Sequence, residues 1–219
     1  MLKNSLFLEN SLNSNHLVVP VNILVEGITD EAIAKHLLKH VGLVVGVPYG
    51  KNGKKDLLKR LPNYNNASRF APWFVIVDLD NDAKCASQAV ELWLPRREVG
   101  MRLRVAVRAI EAWIMADVEH LATFLSILPS RLPSDPDRQT NPKETLINLA
   151  RTSPNRSIRE DLVPRQGSGA RVGPRYADRL IEFTIKHWQP DEAAKRSESL
   201  RRCINALSTL KSWNRADNS

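Results

Sequence analysis

Five apolar residues in succession, Trp73-Phe74-Val75-Ile76-Val77, run without a break into Asp78-Leu79-Asp80-Asn81-Asp82. An apolar run of that length, rich in β-branched and aromatic side chains and ended by turn formers, predicts a strand buried on both faces. Such strands belong to parallel sheets covered by helices. The preceding chain repeats the theme. Val21–Val25 is apolar enough for another buried strand; Thr29 then offers a cap, and Ile33, Leu37, Leu38 and Val41 recur at helical spacing. Gly42 ends that helix, Leu43–Val47 predicts a further strand, and Pro48–Gly53 a glycine-rich turn. Lys54–Leu61 predicts a short helix, and Ala83–Leu94 another that stops before Pro95. Arg102–Val107 alternates basic and apolar residues and predicts a fourth strand near the sheet edge, its polar face toward solvent. From Ile110 to Leu128 an apolar helical stripe continues, with a break near Asp117.

Strands alternating with helices in this order predict an α/β fold, a Rossmann-like parallel sheet flanked by helices, over residues 20–128. Pro129–Arg171 changes character, being rich in Pro, Ser, Asn, Asp and Arg, with one short helix at Pro142–Ala150. Two amphipathic helices follow, Gly173–Trp188 and Ser199–Trp213. Residues 129–219 are therefore expected to form a loop-rich, helical C-terminal extension packed on the core; pairing with a partner molecule is the other reading. Residues 1–19 read as a flexible polar arm without the sustained apolar stretch of a signal peptide, or, over Leu6–Leu8, as an irregular cap on the core.

Composition bounds the setting. Of 219 residues 42% are hydrophobic and 26% charged, the balance of a globular protein. No apolar run approaches the length a membrane helix requires, so no membrane partner is expected. Cys85 and Cys203 stand far apart in no ligand spacing, which fits free thiols and a cytoplasmic location and excludes a zinc knuckle. The net charge of +8 is concentrated after Arg151, where 14 Lys or Arg face 8 Asp or Glu. A basic surface is compatible with a polyanionic partner without demanding one.

The acidic residues have a more telling distribution. Glu26 directly follows the first strand and Asp30 comes four residues later; Asp78 and Asp80 follow Trp73–Val77; Glu111 follows the fourth strand. Asp82 and Asp117 are outer members. If the strands are parallel neighbours, these groups gather at the carboxyl edge of the sheet, where α/β folds bind ligands. Carboxylates in proximity raise one another's pKa, and a divalent cation removes that penalty; an all-oxygen set selects Mg2+ or Mn2+. Taken singly, each acidic pair also reads as an ordinary turn. Gly27 would let the backbone turn tightly beside Glu26. Lys51, within Gly50–Gly53, could approach a phosphate, although the order of residues is not that of a P-loop. Lys84 and Arg108 are neighbours of the acidic groups able to hold a phosphate. Arg165, Arg171 and Arg175 lie in a basic loop that either clamps a phosphate backbone or is simply solvated. His36 and His40 fall off the apolar stripe and read as rim residues, and Trp113 reads as a packing aromatic.

Val25–Glu31 (VEGITDE) followed by Val77-Asp78-Leu79-Asp80 resembles the TOPRIM fold shared by topoisomerases, primases, recombination proteins and the overcoming-lysogenization-defect nucleases. Ala109–Asp117 (AIEAWIMAD), Gly173-Pro174-Arg175-Tyr176, Trp188 with Pro190, and Ser197–Leu200 are similar to the family called domain of unknown function 4276. The resemblance spans about residues 20 to 213. It implies metal-dependent nuclease chemistry in which Glu26, Asp78 and Asp80 hold Mg2+, Asp30 and Glu111 place a second ion or the attacking water, and Lys84 or Arg108 offsets charge on the phosphate. Defence against foreign DNA is the setting it suggests, with nucleic acid as partner, DNA ahead of RNA. No strand-passage, ATPase or zinc segment accompanies the motifs, so topoisomerase and primase activities are not expected. A non-catalytic subunit that binds nucleic acid or an ATPase partner is the alternative, and a homodimer is compatible with either.

Overall fold

A computed structural model describes residues 19–213. The expected N-terminal arm, apart from its last residue, lies outside the described residues, as does Leu6–Leu8. Four strands, β1 (Val21–Val25), β2 (Val45–Gly50), β3 (Trp73–Asp78) and β4 (Met101–Ala106), form one sheet in the order β2-β1-β3-β4. Every pairing is parallel. β3 pairs along its full length with β4, from Trp73 opposite Met101 to Asp78 opposite Ala106. The expected α/β fold with flanking helices is what the chain adopts.

Because side chains alternate across a strand, each sheet face acquires its own core. Val21, Ile23, Val25, Phe74 and Ile76 pack on α1 (Ile28–His40) and on the helices that follow β4. Leu24, Trp73, Val75, Val77 and Leu103 pack with Leu57 and Leu61 of α2 (Lys54–Ala67). Leu79, Ala89 and Val105 make a small third cluster under α3 (Ala86–Trp93).

After β4 come α4 (Ile110–Met115), α5 (Val118–Leu125), α6 (Pro142–Arg151), α7 (Arg156–Leu162), α8 (Tyr176–Lys186), α9 (Pro190–Ala194) and α10 (Glu198–Ser208). Their apolar sides share one cluster with β1 and α1, centred on Trp113, Phe183 and Trp188. Trp113 is fully buried and donates its indole N–H to Ser199 Oγ at 2.7 Å, while Trp188 donates to the Trp113 carbonyl at 3.3 Å. Truncating a buried aromatic of this kind typically costs about 3–5 kcal/mol. His36 tilts against Trp188 and His40 meets Asp191 at 2.9 Å, both on the rim. Among the described residues, no helix is long and apolar enough to cross a membrane.

Several boundaries differ from the sequence expectation, each for a tertiary reason. β2 starts later and continues through Pro48 to Gly50, because pairing with β1 extends over residues that read locally as a turn. An edge strand tolerates proline. Gly50 adopts φ 92°, and a Cβ there would lie 2.2 Å from the Val25 carbonyl oxygen, so the close approach requires glycine. α2 runs past Pro62 to Ala67, anchored where buried Asn65 donates to the Arg96 carbonyl and accepts from the Glu98 amide. The expected break near Asp117 is present: its carboxylate joins His120 Nδ1 at 2.7 Å and accepts from the Gln189 amide at 2.7 Å. The polar face of β4 is covered by α10 instead of water, with Arg102 donating to the Ala206 carbonyl at 3.2 Å. α7 and α9 are short helices that the periodicity did not single out.

Candidate functional site

The strand order places the ends of β1, β3 and β4 side by side, and four carboxylates meet there. Glu26 immediately follows β1, Asp30 lies in the first turn of α1, Asp78 ends β3, and Glu111 lies in the first turn of α4. Asp30 and Glu111 are 7% and 2% exposed. The backbone is tied through these side chains: Glu26 Oε1 accepts from the Asp78 amide at 2.9 Å, and Asp78 Oδ1 accepts from the Ile110 amide at 3.0 Å. Gly27 is extended and not in a positive-φ turn; its contribution is space, since a Cβ would come within 3.2 Å of Asp30 Oδ2.

Two residues from the C-terminal helices close the site, and neither was singled out for it in the sequence. Tyr176, at the start of α8, donates its hydroxyl to Glu111 Oε1 at 3.0 Å. Lys143, at the start of α6, brings its ammonium to 3.5 Å from the same oxygen. Glu111 Oε2 is buried and has no hydrogen-bond partner. A buried carboxylate oxygen in that condition is costly unless a cation or donor meets it.

The electrostatics follow from this crowding. Burial, then the charges of Glu26 and Glu111, push Asp30 up to about 7, against its backbone hydrogen bond and Lys143. Burial and the charges of Asp30, Glu111 and Glu26 hold Asp78 well above the usual carboxylate range. Glu26 is raised by burial, partly offset by the Asp78 amide and by Lys54. Lys143 is raised, chiefly by Glu111, and so keeps its charge. Burial and the charge of Glu111 raise Tyr176, keeping it a neutral donor.

The donor set is all oxygen, includes one orphaned buried atom, and carries more negative than positive charge, which suits a hard divalent cation. Among the described residues, no group of three or more His, Cys, Asp or Glu side chains is gathered in ligating geometry. The carboxylates are close enough to perturb one another, and three of their oxygens are turned toward the Asp78 and Ile110 amides and the Tyr176 hydroxyl. A cation would be held here only after the side chains move into ligating geometry.

The remaining candidates lie elsewhere. Asp80 is half exposed, its Oδ2 held by Lys54 Nζ at 3.0 Å; Asp82 holds the same ammonium at 2.7 Å, and the charges of both still act on Glu26. Arg108 donates to the Asp80 carbonyl at 2.8 Å. Lys51 pairs with Glu31 at 3.1 Å, and Lys84 is exposed on the loop before α3. Arg171 is exposed. Arg175, one residue before Tyr176, lines an open groove of about 750 Å3 with Arg151, Arg159 and Arg165. The two acids of that groove are already engaged, Asp161 by Arg179 and Glu160 by Arg156, which leaves the arginine charge dominant. Comparison of the chain with protein-family models, curated proteins and solved structures finds no match.

Proposed function

We propose that this protein hydrolyses phosphodiester bonds in nucleic acid with the help of Mg2+ or Mn2+. The observation that carries the reading is the buried, partnerless Glu111 Oε2 beside Asp30 and Asp78, whose burial and mutual repulsion a cation would relieve. The TOPRIM resemblance of Val25–Glu31 and Val77–Asp80 points the same way.

Glu26, Asp30, Asp78 and Glu111 would hold the ion, which when bound lowers the pKa of a water and neutralises phosphate oxygens. Tyr176 fixes Glu111 by donating to its Oε1. Lys143 supplies a positive charge toward a phosphate entering beside Glu111. The arginine groove supports a polymer as substrate. Lys143 and Arg151 sit near opposite ends of α6, eight residues or about 12 Å apart, so flanking phosphates would reach the groove while one occupies the acidic site.

The test is cleavage of labelled single-stranded, double-stranded and supercoiled nucleic acids with Mg2+ or Mn2+, wild type beside Asp78→Asn. Cleavage by wild type that Asp78→Asn loses is expected; full cleavage by Asp78→Asn overturns the reading. A second reading is favoured by the engagement of the carboxylate oxygens with backbone amides: a binding subunit without catalysis that uses the same arginine groove. Salt-sensitive binding with no Mg2+ requirement and no cleavage would select it.

A further inference from the structure

Along one edge of the sheet arginines crowd together with no carboxylate to share. β4 is an edge strand, and α10 with the residues after it runs back along β4 in the opposite direction. Three neighbour relations set the alignment. Cys203 acts on Arg104, Arg102 Nε donates to the Ala206 carbonyl at 3.2 Å and to Thr209 Oγ1 at 3.1 Å, and Trp213 lies beside Gly100. Leu103 and Val105 belong to the cores under α2 and α3, so strand alternation puts Arg102 and Arg104 on the other face, toward α10.

Arg102 is well met, since its Nη1 also donates to the Val99 carbonyl at 2.6 Å and the Met101 carbonyl at 3.1 Å. Arg104 is not. It is half-buried, and its Nε is buried without a hydrogen-bond partner. The Trp213 indole N–H is in the same condition, so two of the three partnerless buried side-chain atoms among the described residues are N–H donors on this seam. Burial lowers the Arg104 guanidinium, Cys203 opposes that, and the charges of Arg97 and Arg202 add to the lowering. Burial, then Arg97 and Arg104, lower Arg102. Burial pushes the Cys203 thiol up to about 12, so it stays neutral and supplies no counter-charge. Glu98 is engaged by Arg69 at 2.7 Å, and Glu198 by Arg202 at 2.7 Å and by Arg201.

Basic residues on an edge strand also discourage strand pairing, but solvated charge is enough for that. Half-buried arginines that repel one another and leave a donor unmet destabilise the fold until an anion meets them. Guanidinium groups stay charged and pair bidentately with phosphate oxygens. A phosphate dianion carries about two negative charges and three acceptor oxygens on one centre, enough for several arginines at once. We infer that Arg97, Arg104 and Arg202 form a binding site for a phosphate dianion on the seam between β4 and α10, distinct from both the acidic edge and the arginine groove. The site stands whether or not the acidic edge hydrolyses anything. A terminal phosphate on a nucleic-acid strand and a small free phosphate present the same chemistry to it.

The test is an NMR titration of isotope-labelled, metal-free protein that follows the Arg104 Nε–Hε signal, assigned by through-bond correlation. The probes are inorganic phosphate and a single-stranded DNA of about 12 nucleotides, with and without a terminal phosphate, at constant ionic strength. A saturable shift with inorganic phosphate, absent with chloride, is expected. R97A and R202A replace exposed side chains, and each should weaken that affinity about tenfold, the loss of one charge-assisted hydrogen bond. Tighter saturation by phosphorylated DNA than by inorganic phosphate assigns the strand end as the source; no such gain assigns small phosphates. Equal saturation by DNA with and without its terminal phosphate overturns the inference. So does a signal that no probe shifts, or an affinity unchanged in both R97A and R202A.

Discussion

Asp78 and Asp80 are two residues apart and their carboxylates occupy opposite electrostatic settings. Asp78 stands with Glu26, Asp30 and Glu111, where Lys143 pairs with Glu111, Lys54 acts on Glu26 from the neighbouring clasp, and one carboxylate oxygen goes unmet. Asp80 is half exposed; it and Asp82 divide the ammonium of Lys54 and water reaches both. The first group has twice as many acids per paired ammonium as the second, and burial widens the difference. Exposed carboxylates are solvated and screened, whereas buried ones keep their repulsion and raise each other's pKa. Incompletely compensated, buried negative charge therefore lies on the Asp78 side of this loop, and a paired, solvated clasp on the Asp80 side.

The comparison is tested most severely by activity. Asp78→Asn should reduce the initial rate of nucleic-acid cleavage at saturating Mg2+ at least about 10²-fold more than Asp80→Asn, the loss of several kcal/mol of charge stabilisation. Equal losses would erase the distinction between the two sides. Next in size, Tyr176→Phe removes the one hydroxyl that meets Glu111. It should lower stability by about 1–3 kcal/mol in metal-free urea unfolding, and by less when Mg2+ is present. An unchanged denaturation midpoint would show that Glu111 does not depend on that donor.

Asp30 gives a pH test. Its carboxyl rises from 3.8 to about 7 on folding, so the folded protein binds a proton that the unfolded chain has already released between those values. Stability from this group is thus full below about pH 4 and is lost as pH rises through about 7. Asp30→Asn removes the buried charge; without metal it should stabilise the protein at pH 8 by on the order of 2 kcal/mol and leave it unchanged near pH 4. Thermal melts across that range check it, and a destabilised D30N at pH 8 would contradict the uncompensated interior. The smallest effect is expected on the outer surface: Lys51→Ala, which loses only the exposed pair with Glu31, should change stability by no more than about 0.5 kcal/mol.

How much of this was legible beforehand depended on how local the cause was. The runs Val21–Val25 and Trp73–Val77 declare themselves as buried strands because their side chains have no polar alternative face. The acids after them, being one peptide away, inherit the carboxyl edge. Asp30 was also readable, since a helix following a parallel strand starts at that edge, and the same reasoning would have found Lys54 at the start of α2. Lys143 and Tyr176 gave no such sign. They lie 32 and 65 residues beyond Glu111 in a segment whose local signal was a loop and an amphipathic stripe. The two short helices α7 and α9 were unreadable because fewer than two turns rarely hold without tertiary contacts.

The sequence by itself determined the α/β alternation, the buried strands and the presence of acids at their carboxyl ends, because periodicity and apolar burial act over a few residues. Tertiary structure alone decided which acids face each other. It set Asp78 inward and Asp80 onto Lys54, brought Lys143 and Tyr176 from the C-terminal helices to Glu111, and gathered four arginines along one groove. Those choices depend on strand order, burial and distances between segments far apart in the chain, and electrostatic interaction depends on separation in space and on access to water, not on separation in sequence.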